Sequence, residues 1–174
     1  GGMKWVIHAM KQYKFNPKMI YLAVGPKEAA TDIEALRQSG FKGPILGGDS
    51  FSGPYLKARL GKNANNVFYT THGFLSLAKN NVFMYRFMMS YQKEYGAYPT
   101  SVFTALGYDA VNVIASGIKK AKTMKTPALR KALRNVSVQG VLGPMVYNST
   151  NTPKKGVTVV GIIHGNMQQL STSF

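Results

Sequence analysis

Three short apolar runs, each ended by a turn signal and separated from the next by a stretch of helical period, constrain this chain more than any other feature. Met19-Ile20-Tyr21-Leu22-Ala23-Val24 stops at Gly25-Pro26, which suits a short buried strand. From Pro26 to Ser39 the period changes. Ala29, Ile33 and Leu36 recur at helical spacing, Pro26 fits the first helical position, and Gly40 fits the stop. Pro44-Ile45-Leu46 reads as a second strand, broken by Gly47-Gly48-Asp49-Ser50. Pro54 to Leu60 reads as a short helix closed by Gly61, and Val67-Phe68-Tyr69-Thr70-Thr71 as a third strand ending at His72-Gly73. Residues 3–14 predict a helix ahead of the first strand. Strands alternating with helices over short links predict an α/β layer with a parallel sheet. Right-handed crossovers then bring the loops at Gly25-Pro26, Gly47 to Phe51 and His72 to Phe74 to one pole. Ligands of such sheets bind at that pole, the carboxyl ends of the strands.

The second half changes character. Residues 82–95 place Phe83, Phe87, Tyr91 and Tyr95 four apart, with Met84 and Met88 beside them, which predicts an amphipathic helix whose stripe packs into a core. A longer helix follows from Ser101 to Ala121, carrying Val102, Leu106, Val113 and Ile118. Thr126-Pro127 opens a third, with Thr126 as N-cap, running to Arg134. Val141 to Tyr147 and Val157 to Ile163 read as strands, and His164-Gly165-Asn166 as a turn into a last strand near Met167 to Leu170. Asn148 to Lys155 reads as a linker.

A length of 174 residues predicts one domain or an unequal pair of small ones. The 22 Lys and Arg stand against 6 Asp and Glu, a net +16. Such a balance invites a nucleic-acid reading. Charged residues are nevertheless only 16% of the chain, against about 25% in ordinary domains, so the imbalance comes from missing acids. The cations are scattered. Their densest cluster, Lys119-Lys120-Ala121-Lys122-Thr123-Met124-Lys125, falls at the end of a predicted helix, where positive charge complements the dipole. No nucleic-acid-binding motif accompanies them, so a soluble domain with a basic surface and no nucleic-acid partner is expected.

The absence of cysteine excludes a disulfide framework, thiolate metal sites and a Cys nucleophile. His8, His72 and His164 form no metal-ligand spacing, and no phosphate-binding glycine string is present, so no cofactor or metal is expected. No apolar run reaches the roughly 18–20 residues of a membrane span. The opening Gly1-Gly2-Met3-Lys4-Trp5 has no signal-peptide pattern and reads as an internal start or an expression scar.

Among the six acids, Glu28, Asp32 and Glu34 belong to the helix after the first strand, and Glu94 and Asp109 to later helices. Asp49 alone lies in a loop at the carboxyl end of a strand, where a carboxylate can receive a ligand ammonium with charge-assisted strength; the plainer reading is an Asx-type turn. Gly48-Asp49-Ser50-Phe51 resembles the first block of GDSL-type esterases, with Ser50 as nucleophile. That family also needs a late Asp-x-x-His pair, which none of the three histidines provides. Ser52 stands where the nucleophile elbow requires its second glycine. A serine without a positioned base is a poor nucleophile, and an enzyme is not expected.

Three stretches together carry a more specific resemblance. They are Pro17-Lys18-Met19-Ile20-Tyr21-Leu22-Ala23 running into Gly25-Pro26-Lys27-Glu28-Ala29-Ala30; Gly40-Phe41-Lys42-Gly43-Pro44-Ile45-Leu46-Gly47-Gly48-Asp49; and Ala105-Leu106-Gly107-Tyr108-Asp109-Ala110-Val111 with Ala128-Leu129-Arg130-Lys131-Ala132-Leu133 and Gly140-Val141-Leu142-Gly143-Pro144. In order and spacing they resemble the branched-chain amino-acid type of ABC-transporter substrate-binding proteins, which have the type I periplasmic binding protein fold. The resemblance covers roughly residues 10–167 and matches about the second half of such a protein.

The resemblance implies an α/β fold with a parallel-sheet, three-layer lobe, present as part of a two-lobe structure. Residues 1–78 would form the second half of one lobe, 79–150 would supply helices and a strand to the other, and 151–174 would return strands to the first. It implies a fragment, or association with another copy. The implied function is capture of an amino acid or similar small solute between the lobes for an ABC permease, in the periplasm or outside the cell. A ligand-sensing domain of a receptor or regulator with the same fold is the alternative. By position, Asp49 matches the acid that contacts the ligand's ammonium. Phe103 matches an aromatic of the side-chain pocket. Val24 and Gly25 match a ligand loop, without the aromatic common there. Phe51 is a further ligand candidate whose plainer role is core packing. Tyr108 and Asp109 are expected to serve helix packing and capping.

Overall fold

The computed structural model describes residues 2–78, 81–148 and 151–173. In chain order the elements are α1 (Gly2–Gln12), β1 (Ile20–Leu22), α2 (Pro26–Gln38), β2 (Ile45–Gly47), α3 (Tyr55–Leu60), β3 (Val67–Thr71), α4 (Val82–Tyr95), α5 (Val102–Ala121), α6 (Thr126–Leu133), β4 (Ser137–Gly140), β5 (Gly143–Val146), β6 (Val157–Ile163) and β7 (Asn166–Ser173). The chain divides into two compact units, Gly1–Thr71 with Thr158–Ser171, and His72–Val157 with Thr172–Phe174.

The first unit is built on a sheet of order β1-β2-β3-β6-β7. β1, β2 and β3 run parallel, as the alternation predicts, with Ile20 beside Ile45 and Ile45 beside Val67. β6 returns antiparallel to β3, pairing Val67 with Ile162 and Thr71 with Thr158. Alternation along β3 buries Val67, Tyr69 and Thr71 on one face, and Ala29, Ala30, Ile33 and Leu36 form the buried face of α2. Fully burying a side chain such as Ile33 stabilises by about 1.5–3 kcal/mol. Pro26 sits in the first turn of α2, and Gly40 takes the positive φ of 95° that ends it. β1 is shorter than the apolar run 19–24 because its single neighbour in the sheet, β2, has only three residues to pair with.

In the second unit, Asn81 caps α4 by accepting from the Met84 amide at 3.0 Å, and Gly96 ends it in the left-handed region. Met84, Phe87, Met88, Ala105 and Val141 form one core cluster, while Val113, Val136 and Met145 form a second. The aromatic stripe is only partly core: Phe87 is buried, whereas Phe83 is 50% and Tyr95 68% exposed. Lys125, not Thr126, holds the N-cap position of α6, and no side chain caps it. The expected strand over Val141 to Tyr147 is present as β5, shortened to Gly143–Val146 and forming the second arm of a hairpin. Val141-Leu142 turn the chain between β4, which the sequence reading missed, and β5, with Gly140 opposite Gly143.

Asp109 organises that hairpin. Its side chain is 2% exposed, and its two carboxylate oxygens accept from the Val141 amide at 2.9 and 3.0 Å. A Cβ on Gly140 would lie 2.5 Å from Asp109 Oδ2, so the close approach requires glycine there. Asp109 thus caps a turn and not the helix expected of it. The reading of Asn148 to Lys155 as a linker falls partly outside the described residues; within it, Lys154 and Val146 exchange backbone hydrogen bonds at 2.9 and 3.3 Å.

Candidate ligand-binding site

Parallel β1, β2 and β3 bring their carboxyl ends to one edge of the first unit, and two side-chain hydrogen bonds fasten the loops that leave them. Ser50 Oγ donates to the Val24 carbonyl at 2.9 Å, joining the loop after β2 to the loop after β1. Ser52 Oγ and Thr71 Oγ1 lie 3.2 Å apart, joining the same loop to the end of β3. Asp49–Phe51 is a 3-10 turn, closed by Phe51 N donating to the Gly48 carbonyl at 3.1 Å and Ser52 N to the Asp49 carbonyl at 2.9 Å. Asp49 opens this turn with its side chain exposed.

Phe51 ends the same turn and points the other way. It is 1% exposed, its ring lies 6.5 Å from that of Tyr69, and a Cβ on Gly47 would overlap it. The structure therefore puts Phe51 in the core beneath the loop, its plainer role, where it fixes the loop's height above the sheet. Val24 and Gly25 lie half-buried at the start of α2, where Gly25 is the N-cap and its carbonyl accepts from Ala29 N at 2.8 Å.

Two neighbours of these loops were not found in the sequence. A Cβ on Gly25 would come within 2.7 Å of Glu28 Oε2, and one on Gly48 within 3.6 Å of the Tyr21 hydroxyl. Glu28 and Tyr21 thus sit against the two glycine-bearing loops. The available signals were the first-turn acid three residues after Gly25, and a tyrosine near the carboxyl end of an otherwise aliphatic run. The negative charge of Glu28 is felt locally: Asp32 is pushed above the usual carboxylate range, first by burial and then by Glu28. In a chain of net +16, this edge gathers carboxylates, hydroxyls and backbone, a set suited to a ligand's cationic group. Ser50, the nucleophile of an esterase reading, instead gives its proton to a carbonyl.

Phe103 belongs to the second unit. It occupies the first turn of α5, its amide donates to Ser101 Oγ at 3.3 Å, and its ring, 45% exposed, stands edge-on to His72 at 6.5 Å. Tyr108 packs its ring 5.3 Å from Phe87, as helix packing requires. Among the described residues no group of three or more His, Asp or Glu could hold a metal ion, and no helix is long and apolar enough to cross a membrane.

A parallel-dominated α/β sheet with loops gathered at the carboxyl ends of its strands is an architecture whose ligands bind at that edge. The family profile of periplasmic binding proteins matches residues 3–166, and the chain belongs to that family, one of solute-binding proteins and not of enzymes. Its fold is that of the type I periplasmic binding proteins. A leucine-binding protein from Thermotoga maritima superposes with a TM-score of 0.86 at 27% identity, over 98% of this chain and 48% of the other. A putative branched-chain amino-acid ABC transporter protein from Rhodospirillum rubrum gives 0.75 at 27% identity, over 97% and 48%. A solute-binding protein from R. palustris solved with benzoate gives 0.79 at 19% identity, over 98% and 46%, a likeness of fold alone. The chain spans about half the length of these solved structures. No functionally curated sequence matches it.

Proposed function

We propose that this chain carries the ammonium-binding side of a solute-binding protein for an ABC importer, and that the solute is an amino acid. The observation that carries the reading is Asp49, exposed at the head of a 3-10 turn whose position is set by Ser50 on Val24 and by buried Phe51. A carboxylate carried on a turn so held meets an ammonium without ordering the backbone first, which is where preorganisation gains affinity. Val24 and Gly25 supply backbone beside it. Phe103 is assigned to the apolar part of the solute on the family resemblance alone. No chemistry is done on the solute: capture is closure around it, and the closed form is what the permease receives. The working compartment is the periplasm or the cell exterior.

Calorimetric titration of leucine, isoleucine and benzoate into the complete natural protein tests this. Asp49→Asn is expected to weaken leucine binding about 10–100-fold, the loss of one charge-assisted hydrogen bond. Benzoate has no ammonium, so any affinity for it is expected to stay the same. Leucine affinity unchanged by Asp49→Asn removes the reading.

A further inference from the structure

The opposite edge of the same sheet holds a second concentration of polar groups, of the other sign. A cavity of about 510 Å³ is lined by Arg37, Lys42, Lys62, His164 and the amides of Asn63, Asn65 and Asn66, among others. These residues come from the end of α2, the approaches to β2 and β3, and the turn after β6. They therefore surround the amino ends of the strands whose carboxyl ends carry Asp49. β3, five residues long, separates the two edges by about 17 Å at roughly 3.3 Å per residue.

The groups at this edge are held in place. Arg37 Nη1 donates to the carbonyls of Phe41 and Gly43 at 3.0 and 2.8 Å, and Nη2 to those of Asn65 and Asn66 at 3.0 and 3.4 Å. Four carbonyls fix the guanidinium but leave its charge uncancelled. Burial alone pulls its pKa down, with no carboxylate acting in the other direction. His164 N donates to Asn65 Oδ1 at 2.7 Å, which commits the oxygen of that amide as an acceptor and leaves Nδ2 as its donor. Asn66 Nδ2 donates to the Lys42 carbonyl at 3.2 Å. Among the described residues no acid lines the cavity. Glu34, an acid of the same unit, has Arg59 as its partner at 3.3 Å.

We propose that this cavity binds a phosphate-bearing small molecule. Lys42, Lys62, His164 and the Asn65 amide would donate to the phosphate oxygens, and Arg37 would supply fixed positive field behind them. Lysine binds phosphate as a point charge and amides supply direction. The volume lies within the range of small-molecule sites, so it accommodates an organic group as well as the phosphate. Phosphate of this kind arrives either on a soluble ester or as a phospholipid headgroup. The site is separate from the Asp49 loops and does not depend on the solute proposed there.

Glycerol phosphate titrated into the 174-residue chain, followed by amide chemical shifts and calorimetry, is expected to move Asn63, Asn65, Asn66 and His164 together and to saturate. Lys42→Gln with Lys62→Gln is expected to weaken binding at least about ten-fold, two charge-assisted donors being lost. Lys119→Gln with Lys122→Gln, in the second unit, is expected to change nothing. Saturation by glycerol phosphate without co-sedimentation with phosphatidylglycerol vesicles assigns a soluble ester. Co-sedimentation with phosphatidylglycerol but not phosphatidylcholine vesicles, lost in the Lys42/Lys62 variant, assigns a headgroup. Shifts that never saturate and spread equally over residues 119–125, or oligonucleotide binding untouched by the Lys42/Lys62 variant and tighter than glycerol phosphate, overturn the proposal.

Discussion

Asp109 shows how one side chain can hold a supersecondary unit. Its carboxylate is raised above the ordinary range by burial, against the lowering effect of the Val141 and Leu142 amides and of the Lys155 charge. A carboxyl raised on folding binds its proton more tightly in the native state than in the unfolded one. Its contribution therefore falls as pH rises through the window just above the ordinary value of 3.8. Asp109→Asn keeps an acceptor for the turn and removes the titration. Urea unfolding of both proteins between pH 3.5 and 7 is expected to show the wild type losing stability relative to Asp109→Asn across that window, and a flat difference above it. Asp109→Ala is a different matter: it strands buried amides and is expected to cost on the order of 3 kcal/mol at neutral pH by the same measurement. Nothing local in Gly107-Tyr108-Asp109 announced this role, because the turn that Asp109 holds lies 32 residues away along the chain.

At the level of elements, β3 and β6 were legible to the residue. Both are β-rich runs bounded by turn signals, and each is paired along its length within the sheet. α4 was legible in extent and misread in orientation. Residues four apart overshoot a full helical turn by about 40°, so the series Phe83, Phe87, Tyr91, Tyr95 winds off the buried face at both ends. Met84, Phe87 and Met88, spaced three and one, stay on it. Truncating Met84 to alanine is accordingly expected to cost about 2–5 kcal/mol, while Phe83→Ala is expected to stay within about 0.5 kcal/mol, as read by thermal denaturation. β4 was invisible because Ser137-Val138-Gln139-Gly140 has neither the apolar content nor the β-branched content of a strand; its partner β5 and Asp109 make it one. In the loops at the strand ends, the exposed place of Asp49 could be read from position, whereas the burial of Phe51 depends on space that Gly47 leaves. Gly47→Ala is expected to cost about 1–3 kcal/mol through overpacking, and to lower solute affinity by displacing the Asp49 turn.

For the molecule as a whole, the exposed aromatic content of the first residues is the feature with the largest expected effect in solution. α1 buries no residue, Trp5 is 72% exposed, and a cavity of about 650 Å³ beside it is lined by Met3, Val6, Tyr13, Phe15 and Met19, among others. β1 is the first strand of its sheet, so its outer edge lies beside this apolar patch. Such surfaces associate, and a net +16 opposes them by mutual repulsion. We therefore expect the chain to self-associate more as salt is raised, measured by light scattering on a sizing column. Trp5, the only tryptophan, is expected to shift its emission to the blue in step, and Tyr13→Lys to abolish both changes. Association that weakens with salt would point to charge pairing in place of apolar contact.

The antiparallel pairing of β3 with β6 carries a consequence for how the chain is made. Val67 must wait for Ile162, so the first sheet cannot finish until residue 162 has been translated. Until β6 leaves the ribosome, β3 presents an open strand edge to whatever is near. Closing the long loop between them is entropically slow. β6 and β7 are therefore a checkpoint on synthesis: a nascent chain stalled before them is expected to be protease-sensitive throughout its first unit, and one extended past them is not.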